Sequence, residues 1–480
     1  MSGVGPSVTQ VTAAAAAGRT TAVEQVRRCA AAHARTARLG AFTQVDVGSA
    51  LAEAERADRR GAAGSLPLRG VVLAVKDNID TAGFATTAGT PALRTHRPRR
   101  DAEVVRTLRR AGAVVLGKAN MHELAYGVTG DNPAFGRVRH PLRPERIPGG
   151  SSSGSAAAVA AGVVTAALGT ETGCSVRVPA ALCGVVGFRP TVDACSGQGM
   201  VPVSWTRDTV GVLARDVADI RAVDAVLRPQ SGRAPDEDGD PLRGLRLAAP
   251  HRPFRQGLAP PLRAVFETRL AALEGAGVEI VEADPPGGVQ DAAARCGLTI
   301  ARYETPHGID RYLAAHGGTA RFTDVAAQVA SPDVARLLRP PGEERVAEED
   351  YRAALADRAH LGRLLDDFVA HHHVDGLLVP TAPVTAPTLL GGDRVEVGGR
   401  PAAAFPLLVR NADISSVLGL PALTLPAAAD ESGLPFGIDL QFPAGADSRL
   451  LAVAHACERL WRCAGAPGPR RGHRSSEHHA

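Results

Sequence analysis

Apolar positions along this chain come in two spacings that alternate. Over residues 7–60, alanine-rich segments carry arginine and glutamate at helical intervals, as in Ala22-Val23-Glu24-Gln25-Val26-Arg27-Arg28, predicting two or three amphipathic helices. Residues 71–75 are continuously apolar, the pattern of a strand buried on both faces. Residues 101–111 predict a helix with an arginine face, and 114–116 another short buried strand. The 13 residues 156–168 are the most sustained apolar stretch and predict a buried helix, too short to span a membrane. A short helix and a strand follow within 178–190.

Further along, 262–274 and 347–370 predict helices, the second exposed and laced with charge. Residues 374–380 predict a buried strand, 417–426 a loop followed by a strand, 436–442 an alternating strand, and 448–461 a final amphipathic helix. Helices interleaved with short apolar strands argue for an α/β fold. Between them, 127–150 reads as an irregular loop, 229–241 as a surface loop, and 465–480 as a disordered tail rich in Pro, Gly, Arg and His. His371-His372-His373 at a helix end invites a metal, but adjacent helical residues point apart and no second cluster has suitable spacing, so a solvated end is favoured.

Composition narrows the function classes. The chain has 480 residues, 45% hydrophobic and 22% charged, as in a soluble globular protein. A net charge of +4, with dispersed arginines and 4% aromatic residues, speaks against nucleic-acid binding. Seven cysteines with no CxxC fit a reducing, cytoplasmic compartment, and no signal peptide is expected. Only two of the 54 basic residues are lysines, Lys76 and Lys118. A lysine retained where arginine is otherwise used can serve as a base, because burial can take its proton.

Lys76 ends the apolar run at 71–75. Two glycine-rich serine turns follow, Gly149-Gly150-Ser151-Ser152-Ser153-Gly154-Ser155 and Gly173-Cys174-Ser175-Val176-Arg177. Glycine lets backbone approach a ligand closely, and successive free N–H groups can hold an oxyanion. Ser175, in the tighter turn, is the expected nucleophile, with the N–H groups of Thr172, Gly173, Cys174 and Ser175 as the expected oxyanion hole. Lys118, after a glycine at a strand end, reads as a loop-organising contact. His122 and Glu123 would offer a Ser–His–acid triad, though nothing places His122 beside a serine.

Lys76, Ser151 and Ser175 in these turns resemble the amidase signature family, as do Gly117-Lys118-Ala119-Asn120-Met121-His122-Glu123, Pro380-Thr381-Ala382-Pro383 and Leu420-Pro421-Ala422-Leu423-Thr424-Leu425-Pro426. The resemblance covers about residues 7–465. It implies one large mixed β-sheet flanked on both sides by helices, forming a single domain over 1–465 with a variable, substrate-shaping region at 218–375. It implies a Ser–Ser–Lys triad in which Ser151, on a cis peptide bond, relays a proton from Ser175 to neutral Lys76 and back to departing ammonia. An acyl-enzyme forms on Ser175, with no metal and no cofactor. Ser152, Arg177 and Glu171 are read as supporting residues, Arg177 paired with Glu171. Two departures bear on the pocket: Cys174 stands where the family usually has glycine, and Glu171 where it usually has aspartate.

Residues 175–191, with 202–209 and Arg410-Asn411, look closest to indoleacetamide and mandelamide hydrolases. A small primary amide of arylacetamide type is therefore the expected partner, with neither nucleic acid nor membrane, and with monomer or homodimer left open. Alternatives are a glutamine-hydrolysing amidotransferase subunit, or a biosynthetic amidase or acyl transferase acting on a specialised metabolite. A non-enzymatic binding protein would be expected to lack one of Lys76, Ser151 and Ser175, all of which are present.

Overall fold

In the computed structural model, residues 5–229, 239–338 and 345–463 are described. Fourteen strands occur among them. In chain order these are β1 (Phe42–Val45), β2 (Val72–Lys76), β3 (Val114–Ala119), β4 (Ala166–Glu171), β5 (Val186–Arg189), β6 (Thr209–Ala214) and β7 (Arg246–Ala248). There follow β8 (Glu279–Val281), β9 (Gly376–Pro380), β10 (Thr388–Gly391), β11 (Arg394–Val397), β12 (Arg400–Ala403), β13 (Ala422–Ala429) and β14 (Pro435–Gln441). Eleven of them form one sheet in the order β1-β3-β2-β4-β6-β5-β13-β14-β9-β7-β8, and β10-β11-β12 form a small second sheet. The large sheet is mixed. β2 is parallel to both β3 and β4, whereas β4–β6 and β13–β14 are antiparallel.

The apolar runs at the sheet centre acquire two faces on folding. In β2, Leu73 and Val75 pack with Val105 and Leu108 of the helix Glu103–Arg110, while Val72 and Ala74 pack with Val26, Ala50 and Ala157 from three helices on the other side. A strand covered on both sides shows no alternation in its sequence. β14 repeats this: it alternates in sequence, yet all seven of its residues are buried, Asp439 and Gln441 among them. The alternation leaves no wet face, because β14 lies between β13 and β9 and both of its polar side chains have buried partners.

The segment 156–168 departs from the sequence reading. It is not one helix but the end of a short helix, Ser153–Ala160, a turn, and the start of β4. The helix backs onto the sheet so tightly that Gly154 donates its N–H to the Asn120 carbonyl at 2.8 Å. The 347–370 helix, observed as Glu348–His372, is charged but not fully exposed. Its Ala354, Leu361, Leu365 and Phe368 form a buried stripe against a 27-residue helix, Val289–Ala315, which the sequence reading did not identify. Most of the predicted loop at 229–241 and the 465–480 tail lie outside the described residues. Among the described residues, no helix is long and apolar enough to cross a membrane.

A methyl group at Gly154 would lie 2.3 Å from the Ala41 carbonyl and 2.5 Å from that of Asn120, backbone atoms that cannot swing aside. Gly154→Ala is accordingly expected to cost about 1–3 kcal/mol or more, read as a shift in denaturant midpoint at unchanged slope.

Candidate functional site

Lys76 is the last residue of β2, and the parallel strand β4 beside it ends with Thr170 and Glu171. The Lys76 side chain is fully buried. Its Nζ lies 2.8 Å from Ser151 Oγ, 2.8 Å from Thr170 Oγ1 and 3.1 Å from the Thr170 carbonyl. None of these partners is a carboxylate. Burial therefore lowers the ammonium's pKa to about 7, with Asp208 and Glu171 pulling only partly the other way.

Ser151 enters this contact from the glycine turn just before the helix Ser153–Ala160, and the Gly150–Ser151 peptide bond is cis. The Ser151 carbonyl accepts the His122 N–H at 3.2 Å. Ser152 faces the other turn: its N–H donates to the Ser175 carbonyl at 3.1 Å, and its hydroxyl meets the Thr170 backbone at 3.3 Å. The structure thus sets the two serine turns side by side, with Thr170 as the third wall.

The turn from Thr172 to Ser175 borders a cavity of about 810 Å³. Among the described residues, no hydrogen bond engages the backbone N–H groups of residues 172–175. Ser175 is 7% exposed and opens onto the cavity. The turn is held at three points. Glu171 accepts the N–H groups of Val176 and Arg177 at 2.8 and 3.0 Å, and pairs with the Arg177 guanidinium at 2.7 Å. Thr172 donates its hydroxyl to Asp208, whose other oxygen takes the N–H groups of Val203 and Ser204. Ser416 bonds the Gly173 carbonyl and reaches Glu171 at 3.1 Å.

Arg177 is fully buried between Glu171 and Asp439, the latter at 2.5 Å, as the sequence pairing anticipated for Glu171. Burial pushes the Glu171 carboxyl up, but Arg177, Arg189 and the two N–H donors outweigh it and hold it below the usual range. Asp208 shows the opposite balance, with burial raising it to about 6. Cys174 packs among Val178, Leu182 and Leu408, and burial drives its thiol well above the ordinary value. A thiol so placed is a poor thiolate at neutral pH.

Lys118 and His122 do not join the serines. Lys118 is buried against the Ile79 carbonyl at 2.5 Å and Asp77 at 3.5 Å, organising the loop after β2. His122 Nε2 lies 3.0 Å from Asp333, and Glu123 accepts the N–H groups of Ala330 and Ser331. Sequence reasoning missed Thr170, Asn78, Asp208 as a clamp, Ser416 and Asp439. Asn78 reaches Thr170 Oγ1 at 3.1 Å across 92 residues. Asp208 had left a trace, in the motif-like run 202–209.

The cavity wall beyond Ser175 is mainly apolar, with Tyr126, Val203, Phe254, Ala301, Val409 and Ile414, and carries Arg207 paired to Asp413 at 3.3 Å. Much of it comes from 252–256 and 285–301.

The family model described as "Amidase" matches residues 24–451. The chain is 40% identical to an indoleacetamide hydrolase of Agrobacterium vitis, over 90% of this chain and 91% of that protein. It is 38% identical to a mandelamide hydrolase of Pseudomonas putida, covering 88% and 85%. The peptide amidase of Stenotrophomonas maltophilia superposes with a TM-score of 0.82 at 31% identity, over 96% of this chain and 98% of that one.

Removing the Glu171 charge would leave buried Arg177 without one of its two carboxylates, and the single oxygen of a glutamine could serve the two backbone N–H groups or the guanidinium but not both. Glu171→Gln is expected to cost about 3–5 kcal/mol in chemical denaturation, the scale for breaking one side of a buried ion pair.

Proposed function

The chain belongs to the amidase family, enzymes that hydrolyse linear amides, and we propose that its substrate is a small primary amide of the arylacetamide type. What carries the mechanistic reading is Lys76 Nζ, carboxylate-free and 2.8 Å from Ser151 Oγ, beside a turn that presents Ser175 to the cavity. In this reading Lys76 is neutral at working pH and accepts the Ser151 hydroxyl proton as Ser151 takes that of Ser175. Ser175 Oγ attacks the amide carbonyl. The oxyanion is received by the N–H groups of the turn formed by Thr172, Gly173, Cys174 and Ser175, which find no protein acceptor among the described residues. The proton returns along the same path to the leaving nitrogen, ammonia departs, and an acyl-enzyme remains on Ser175. Water then attacks that ester, passing its proton to the relay, and the acid is released. Ser152, Glu171 and Arg177 keep the two turns in register.

The apolar wall favours an aryl or otherwise apolar acyl group, in keeping with what the similar hydrolases are named for. Glutamine hydrolysis for an amidotransferase is not favoured by those relatives. We also read 1–465 as one unit whose 218–375 portion shapes the substrate site, supported by the cavity residues drawn from 252–256 and 285–301.

Ammonia release from indole-3-acetamide, phenylacetamide, mandelamide, a short aliphatic amide and glutamine tests this. Arylacetamides are expected to be turned over. Ser175→Ala and Lys76→Ala should each lose about 10⁴-fold or more in kcat, the scale seen when part of a nucleophile unit is removed. Full activity in Ser175→Ala would sink the mechanism, and turnover of glutamine alone would restore the amidotransferase.

The pH profile makes a separate demand. The base works deprotonated, and burial sets its pKa near 7. kcat/KM should therefore rise through about pH 7 and level off above it. A profile flat from pH 5.5 to 8.5 (roughly 1.5 units either side of that midpoint) would contradict a lysine base.

A further inference from the structure

Away from the serines, three distant segments converge on one small polar cluster. Asp80 comes from the loop after β2, His96 from the same loop further on, and Tyr312 and His316 from the end of the helix Val289–Ala315. His316 Nε2 lies 2.9 Å from Asp80 Oδ2. Tyr312 donates its hydroxyl to Asp80 Oδ1 at 2.6 Å, so His96 Nε2, 3.0 Å from that hydroxyl, donates to its oxygen and leaves Nδ1 as the His96 atom open to a metal. One ligating atom from each of Asp80, His96 and His316 falls within 4.8 Å of the others.

Proton accounting makes the cluster unusual. His316 Nδ1 lies 2.9 Å from the Tyr312 carbonyl, which can only accept, so Nδ1 carries the hydrogen. Nε2 of a neutral His316 then presents its lone pair to a carboxylate oxygen at 2.9 Å, acceptor against acceptor. A cation must lie between them, either a second proton or a metal ion.

The surroundings match a metal site. A ligating histidine commonly gives its other N–H to a backbone carbonyl, and a ligating carboxylate is itself hydrogen-bonded. His316 does the first toward Tyr312, and Asp80 does the second through Oδ1. Asp80 is 2% exposed, while the His316 side chain is 21% exposed, leaving an entry from solvent. The Asp80 backbone is anchored on both sides, by Gly199 through its N–H and by Ala102 through its carbonyl. The neighbouring buried cation, Lys118, has Asp77 as its partner at 3.5 Å.

We propose that Asp80, His96 and His316 form a binding site for one borderline divalent cation of the zinc class, with Tyr312 as its outer-shell support. Two imidazoles and one carboxylate suit such an ion at bond lengths of about 2.0–2.2 Å, with water filling the fourth position. The ion takes no part in amide hydrolysis. It ties the loop after β2, which carries Asn78 to Thr170, to the helix whose residues Ala294, Gly297, Leu298 and Ala301 line the cavity.

The test is a titration of chelator-treated full-length protein with Co²⁺, followed by the visible d–d absorption of a four-coordinate ion. Zn²⁺ in parallel is read as a shift in thermal midpoint. One equivalent should bind with tetrahedral bands, and Zn²⁺ should raise the midpoint. His316→Gln and His96→Gln, both at partly exposed positions, should weaken binding by about 100-fold or more, and Tyr312→Phe by ~10–100-fold. Replacing His371, His372 and His373 together by Gln should leave the high-affinity equivalent intact, separating it from adventitious binding at that helix end. Binding unchanged in His316→Gln, or lost with the three adjacent histidines, would overturn the proposal. So would the absence of binding in the parent protein, since a second proton on His316 would then account for the contact.

Discussion

The constraint behind the whole site is that Lys76 is buried with no carboxylate in contact. An ammonium removed from water is costly unless a counter-charge replaces its hydration. Here the partners are two hydroxyls and one carbonyl, groups that can accept from an ammonium or share a proton with a neutral amine. The energetics therefore push the lysine toward neutrality without leaving it unpaired. That outcome depends on where the fold ends its strands. β2 stops at Lys76 and β4 at Glu171, so the strand-end side chains face a common space rather than solvent.

Negative charge is kept one step away. Glu171 follows Thr170, and its carboxylate is spent on Arg177 and on two backbone N–H groups. Asp439 takes the other side of the same guanidinium, and Arg189 lies 3.8 Å from Glu171. This buried group of charges fixes the turn that bears Ser175, yet stays out of contact with Lys76. Asp208 holds the same turn through Thr172; with its pKa raised by burial to about 6 it is still largely ionised near pH 7, and it offsets only part of the burial that lowers the lysine. Rigidity and base strength are thereby supplied by different residues. The glutamate at 171 reaches both the backbone N–H groups and Arg177.

What was legible in the sequence follows from this division. Lys76, Ser151 and Ser175 stood out because a rare residue type and two glycine-rich turns are local signals. The Glu171–Arg177 pair was within reach because six residues separate them. Asp439, Ser416 and Asn78 were not, because their partners lie 262, 243 and 92 residues away and each reads as an ordinary polar residue in its own segment. The misreading at 156–168 has a related cause. A buried short helix and a buried strand have the same apolar composition, and only the turn at Gly162 separates them. The long helix Val289–Ala315 escaped notice because Gly297, Pro306 and Gly308 interrupt its pattern, although close packing explains two of them. A methyl at Gly297 would meet Val417 and Arg207, and one at Gly308 would meet Pro202.

The same helix explains how substrate choice can be separated from chemistry. The proposed proton path draws on β2, β4 and the two serine turns, all within the first 177 residues. The facing wall is built from 252–256, 285–301 and 405–414, which contribute no atom to that path. Helix Val289–Ala315 is nevertheless not loosely attached. Thr305 bonds the Val203 carbonyl at 2.6 Å, and Glu304 takes Ser204 at 2.5 Å, next to the Val203 and Ser204 N–H groups that bind Asp208. The apolar cavity wall and the turn that bears Ser175 therefore share one short loop, 203–208. A change of acyl group can be accommodated by side chains on the helix, whereas a change in the helix's position would reach Thr172 through Asp208. The wall is free to vary in chemistry but not in placement.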